Sequence, residues 1–380
     1  MAFAADLDII RAVASRDTAI AKTDPNDRAR ALDEMAAIAR TGNRDDFLLE
    51  AMKVFALAGN GHTRLVPNPA IRVLPLRLVW AGPGLWSCHE VPRRVVAINE
   101  TPVEDAFGRL RPHLAGTPAR QRVVGALPLV WPGALRRLGN AAESGAITFQ
   151  FADGTAQSFD ADRTIPAETK YPVFETGTPD PARDPYRRET NDLCVLRLAS
   201  FSNSFPGEAD QRVIKSCKLL GQRALRPIVI DLRGNPGGDF LAHLGILDRI
   251  AEKDASARVT VLVDRFTFSA AVVFAALCRH RFAARIVGED MGDAGQFHAE
   301  GGTEKLPDTG SLVRWSDGYH DWTHGVPSAE TPPEIAAEMV ACGALDPDIK
   351  AVTTPEDLSL GRDPALDAAC HPIETPGQSA

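Results

Sequence analysis

The sequence predicts an α/β protein in three parts, and three observations predict it. Residues 6–58 carry helical patterning with capped ends. Residues 72–161 change to short strands separated by turns. From Leu193 onward strands and helices alternate, which argues for parallel pairing in an α/β core. At 380 residues the chain exceeds the usual single domain, so several parts are expected. The boundaries fall as a helical segment over 1–65, a β-rich domain over 66–163 and a core over 191–370. A linker or surface loop over 164–190 holds five prolines among polar residues, and a proline- and serine-bearing tail covers 371–380.

Each element has a local signal. Asp24-Pro25 opens a helix, since aspartate is a good N-cap and proline fits the first turn. Asn43 opens another, through Phe47-Leu48-Leu49 to Phe55-Ala56-Leu57, and Gly59 and Gly61 stop it. Val95–Val103 reads as a strand running into a turn and then a helix through Leu110. Ala146–Phe151 followed by Asp153-Gly154 is a hairpin. Farther on, Ile228–Leu232 is a buried strand, Asp239–Lys253 a helix, Val259–Val263 a strand, Ser269–His280 a helix and Ile286-Val287 a strand. No repeat of fixed period is found.

Composition excludes some functions. Lys plus Arg total 42 and Asp plus Glu 50, so the net charge is 42 − 50 = −8, with 44% hydrophobic and 24% charged residues. A basic face for nucleic acid or an anionic membrane is not expected, and no apolar run is long enough to span a bilayer. Ala2-Phe3-Ala4 resembles the end of a secretory leader, so a periplasmic or secreted location is expected, with a cytoplasmic one as the alternative. Cys88, Cys194, Cys217, Cys278, Cys342 and Cys370 are scattered without a C-x-x-C, so no metal site and no cofactor are expected. Cys342 and Cys370 could pair in an oxidising compartment.

Two segments could carry chemistry. Asp231-Leu232-Arg233-Gly234-Asn235-Pro236-Gly237-Gly238 is a buried strand running into a rigid turn whose backbone N–H groups suit an oxyanion or carboxylate. Its structural alternative is a turn that needs glycine only for its dihedrals. Thr267-Phe268-Ser269-Ala270-Ala271 places a serine at the head of an apolar helix, where the helix dipole favours a developing alkoxide. The alternative there is an ordinary serine N-cap. A third feature, Gly61-His62-Thr63, sets a histidine between flexible backbone at a helix end.

Together these segments resemble the S41 family of tail-specific and tricorn-like peptidases. Arg265–Ala271 and Val287-Gly288-Glu289 follow Asp231–Gly238 in the family's order. Gly61-His62-Thr63 is similar to its "GHT" signature, Asp346-Pro347-Asp348-Ile349 to its "PDI" element, and Gly361–Leu366 to a common ending. Val95–Val103 with Asp153-Gly154 resembles its degenerate PDZ-like domain. The resemblance implies a crotonase-like α/β core, with a PDZ-like domain over 66–163 and a helical segment carrying His62. It also implies a peptide or protein substrate, with a homo-oligomer allowed. Ser269 would be the nucleophile, and the N–H of Ala270 with one from Gly237 or Gly238 would form the oxyanion hole.

One departure decides the subtype. Where many members carry a lysine base, Gly288–Gly295 has Ala294. The tricorn-like branch takes its base from an N-terminal histidine, a place His62 occupies, and imidazole suits a serine hydroxyl. His298 is the rival base, and Glu289 and Glu338 are the candidate orienting carboxylates. His320-Asp321-Trp322-Thr323-His324 reads as a loop between Gly318 and Gly325. The expected function is acyl transfer to water, cleaving peptide bonds. Two alternatives are an esterase or amidase on a small substrate and a non-catalytic ligand-binding protein on the same core.

Overall fold

The fold comes from a computed structural model in which residues 2–40, 42–88, 91–142, 145–167, 186–189, 194–221, 227–253 and 258–370 are described. Most of the expected linker and all of the tail lie outside the described residues. The fold is mixed α/β with several sheets, and the chain forms two compact units. One comprises residues 1–175 and 292–341, the other 176–291 and 342–380.

In the first unit, helices run over Ala4–Arg16, Pro25–Ile38 and Arg44–Ala56. The caps are those the sequence signals: Asp24 accepts from Asn26 N at 2.8 Å, and Asn43 from Asp46 N at 3.0 Å. The third helix buries Phe47, Leu48, Leu49, Ala51, Val54 and Phe55, and Phe3 stacks on Phe47 at 4.6 Å between ring centroids. Beyond it, strand Arg64–Val66 pairs antiparallel with Leu312–Trp315, which pairs in turn with Gly302–Lys305.

An antiparallel sheet follows in the order Leu78–Ala81, Gly84–Ser87, Arg93–Ile98, Ala146–Phe151 and Ala156–Asp160. Its last two strands are the expected hairpin, turned by Gly154 at φ +82°. Helix Val103–Leu110 buries Val103, Ala106, Phe107 and Leu110, and Phe107 meets Trp80 of the sheet.

One expectation is corrected in this unit. The stretch from Gly318, read as a loop, begins as strand Gly318–Asp321 paired with Gln296–Ala299. Cross-strand hydrogen bonding overrides the glycine signal there.

The second unit holds a six-stranded sheet, ordered 186–189, Cys194–Arg197, Ile228–Asp231, Val259–Val263, Arg285–Gly288 and Ile349–Lys350. Every pairing from Cys194 onward is parallel, and only the first is antiparallel. Strands Cys194–Arg197 and Ile228–Asp231 are buried at every position, as strands covered on both faces must be. On one face Val195, Val229, Leu262 and Val287 pack against Ala365, Leu366 and Ala369 of helix Pro364–Cys370.

The helix expected over Asp239–Lys253 begins late in this unit. Leu241–His243 is a 3₁₀ turn, with Asp239 accepting from Ala242 N at 3.1 Å, and the α-helix runs over Gly245–Lys253. Among the described residues no cysteines are bridged, so the Cys342–Cys370 pairing is not made. No helix among them is long and apolar enough to cross a membrane.

Candidate active site

Strand Ile228–Asp231 ends in a buried ionic clamp. Asp231 accepts from Arg197 Nη1 at 3.2 Å and from Arg233 Nε and Nη2 at 3.0 and 2.8 Å. Burial pushes the Asp231 carboxyl up, but the Arg233 and Arg197 guanidiniums outweigh it and hold the pKa at about 2. Arg233 also donates to both carboxylate oxygens of Asp363, at 2.7 and 2.9 Å. The strand end that launches the glycine turn is therefore fixed from the C-terminal segment.

The turn is packed on all sides. Gly237 and Gly238 have φ of +93° and +135°, backbone that L side chains rarely adopt. A Cβ on Gly238 would collide with Phe201 O. Asn235 ties the turn down, its Nδ2 donating to Leu198 O at 3.0 Å and its Oδ1 accepting from Gly237 N at 2.9 Å. The Gly237 N–H is thus spent within the turn. Among the described residues no protein acceptor takes the N–H of Gly238 or of Ala270.

Ser269 heads helix Ala270–Phe282, whose residues Ala270 to Cys278 are all buried. Its backbone stands at φ 57°, ψ −127°, and its hydroxyl makes no cap hydrogen bond. The ordinary N-cap alternative therefore does not describe it. A non-glycine residue in such a conformation stores on the order of 1–3 kcal/mol and is held by its surroundings. The loop leading into it is fixed by Asp264, whose Oδ1 accepts from the backbone N–H groups of Gly234, Phe266 and Thr267 at 2.9, 3.0 and 3.0 Å. One half-buried carboxylate so binds the glycine turn to the loop that delivers the serine.

In the first unit, His62 follows helix Arg44–Ala56 after Gly59 at φ +59°. Its turn is anchored on both sides. Asn60 Nδ2 donates to Thr63 Oγ1 and Ser316 Oγ at 3.2 Å each, and Thr63 Oγ1 donates to Asp17 Oδ2 at 2.6 Å. His62 Nε2 donates to Asp293 Oδ2 at 3.1 Å, and the ring stacks on Phe297 at 5.5 Å and 13°. Burial draws the His62 pKa down, and Asp293 opposes that.

The other candidates are engaged elsewhere. His298 has Nδ1 at 3.0 Å from Thr18 Oγ1 and Nε2 at 3.3 Å from Lys22 Nζ. Glu289 accepts from Arg265 Nε at 2.8 Å, and Glu338 ends helix Pro333–Glu338. Among the described residues no group of three acidic, histidine or cysteine side chains is placed to hold a metal ion. Sequence reasoning missed Asp264, Asn235 and Asp293. Asp293 sits beside the alanine at the lysine position, and its signal was a carboxylate confined between Gly292 and Gly295.

No protein-family model matches the sequence, and no curated protein does. Solved structures do match. Mature CPAF superposes with a TM-score of 0.56 at 13% identity, covering 94% of each chain. Mature CPAF complexed with lactacystin gives 0.52 at 13% identity, covering 87% of this chain and 89% of that one. The photosystem II D1 C-terminal processing protease gives 0.43 at 14% identity, covering 99% and 98%. At such identities the likeness is one of fold, and the fold of this chain is similar to that of mature CPAF along nearly its whole length.

Proposed function

We propose that the chain is a serine hydrolase that cleaves peptide bonds through an acyl-enzyme, with Ser269 as nucleophile and His62 as general base. The observation that carries this reading is the conformation of Ser269. Its strained backbone holds a hydroxyl unused for capping, at the head of a helix whose first N–H, on Ala270, has no protein acceptor among the described residues, and against the glycine turn at Gly237. The N–H groups of Ala270 and Gly238 would be the oxyanion donors. Gly237 supplies shape rather than a donor, since Asn235 takes its N–H.

The chemistry follows in two halves. His62 takes the Ser269 proton as Oγ bonds to the substrate carbonyl carbon, and the oxyanion forms against the two N–H groups. The proton then passes to the leaving amine as the C–N bond breaks. Water, deprotonated by His62, cleaves the acyl-enzyme and returns Ser269. In this reading the parallel-sheet unit is a crotonase-like core, supported by strands buried on both faces. The sheet over 78–160 with helix Val103–Leu110 is read as a PDZ-like domain, supported by its antiparallel order.

The test is active-site labelling followed by turnover. A fluorophosphonate should label the wild type at Ser269 and leave Ser269→Ala unlabelled. Peptide substrates should be cleaved faster than simple esters, and His62→Ala should cost nearly as much as Ser269→Ala, because such residues act as a unit. Absence of labelling in folded wild type would favour a binding protein, and ester-only turnover an esterase.

A further inference from the structure

We infer that Asp293 is the positioning carboxylate of His62, holding the ring proton on Nε2 so that the Nδ1 lone pair receives the proton of the serine. The inference rests on the reading of His62 as general base and deepens it by naming the group that orients the ring.

The geometry is specific. Asp293 is 6% exposed, and its Oδ2 stands 3.1 Å from His62 Nε2, one face of the ring being covered by Phe297. Phe297 is itself stacked on His320, with centroids 4.7 Å apart. With the ring plane set by stacking and one nitrogen held by a carboxylate, the imidazole has one orientation and one neutral tautomer. A carboxylate can only accept, so Nε2 carries the hydrogen and the lone pair lies on Nδ1. The loop is pinned at both ends, with Thr117 Oγ1 donating to Gly292 O at 3.0 Å and Trp322 N donating to Gly295 O at 2.9 Å. His298, the rival base, meets a hydroxyl and a lysine, and that cation disfavours the imidazolium a base must form.

The charges facing this pair set the sign of the test. Burial lowers the His62 pKa, Asp293 raises it by hydrogen bond and charge, and Arg64 and Arg120 lower it. Arg314, opposite Arg64 across the strand pair, is a further positive charge that disfavours the charged form of both arginines. Replacing the Asp293 charge leaves burial and the arginines unopposed, so the His62 pKa must fall. A residue that only filled space would leave it unmoved.

The experiment follows the His62 ring protons by NMR against pH in the wild type and Asp293→Asn, and records kcat/KM against pH for the same proteins. The expected result is a fall of roughly one to two pH units in both the ring titration and the acid limb of the rate. It should come with a loss of activity on the order of 10³–10⁴-fold from the misplaced tautomer. Asp293→Glu should recover part of the rate. A His62 titration unchanged in folded Asp293→Asn overturns the inference. A titration that moves beneath an acid limb that stays put overturns His62 as the base, and any catalytic part for Asp293 with it.

Discussion

Gly237 lies against Ser269 so closely that a Cβ on the glycine would stand 2.8 Å from Ser269 Cβ and 2.7 Å from Phe268 O. The glycine turn and the serine loop are one packed object, joined also by Phe268 N donating to Asn235 O at 3.0 Å. Substituting the turn therefore disturbs the fold and the serine together.

Gly237→Ala is accordingly expected to lose stability, by roughly 1–3 kcal/mol for overpacking alone. Activity should fall by more than the unfolded fraction explains, because the serine loop is what must give way. Gly154→Ala is the control, also at positive φ but with open space around it. Denaturant midpoints and kcat for both variants check this. A Gly237→Ala protein with wild-type midpoint and turnover would show that the two loops are not packed in this way.

Ser269 gives a prediction in which stability and activity move oppositely. Ser269→Gly removes the Cβ from a backbone at φ 57° and should stabilise the protein despite glycine's extra chain entropy, by up to about 1 kcal/mol. Ser269→Ala keeps the strain and should melt near the wild type. Both should be inactive. Thermal midpoints of the three proteins decide it, and a glycine variant no more stable than the alanine one would mean that the conformation costs nothing.

What was legible in the sequence had a local cause. Asp24 and Asn43 cap helices within three residues of themselves, Asp153-Gly154 turns a hairpin on its own, and Ser269 stands at the head of an apolar run. What escaped needed distant residues to meet. Asp293 reaches His62 across 231 positions, and Asp363 reaches Arg233 across 130. No propensity or spacing encodes such pairings. The grouping of residues 292–341 with the N-terminal unit has the same origin, since strand Leu312–Trp315 pairs with Arg64–Val66.

The Arg233 clamp predicts a large asymmetric effect. Asp363→Asn weakens one side of a guanidinium that is 7% exposed, and Arg233→Lys gives up paired contacts to both Asp231 and Asp363. Arg233→Met takes the nearer guanidinium from Asp231, leaving it the Arg197 guanidinium and the backbone N–H of residue 233, and should cost about 3–5 kcal/mol, the scale for breaking a buried ion pair. Urea unfolding should rank the losses Asp363→Asn, then Arg233→Lys, then Arg233→Met. Midpoints for all three equal to that of the wild type would mean that the clamp adds nothing to stability.

Asp264 predicts an unusual dependence on pH. Burial lifts its carboxyl, the Gly234 N–H opposes this, Glu289 adds to it and Arg197 and Arg233 oppose it, leaving the pKa at about 6. In the unfolded chain it would lie near 3.9, roughly two units lower. The native state thus holds the Asp264 proton more tightly, so this group's contribution is fullest below about pH 4 and is lost as pH rises through about 6. Ionisation there costs about 3 kcal/mol, to within a factor of two. Asp264→Asn keeps an oxygen for the N–H groups of Gly234, Phe266 and Thr267 and has no charge to develop. It should therefore flatten the stability profile between about pH 4 and 6 while leaving the serine loop in place. Asp264→Ala frees three N–H donors at once and should destabilise at every pH, by about 2–4 kcal/mol. Thermal midpoints of the three proteins across that range are the measurement. Parallel profiles for the wild type and Asp264→Asn would show that Asp264 does not titrate there. The bracket between the glycine turn and the serine would then be held by an ordinary ionised carboxylate.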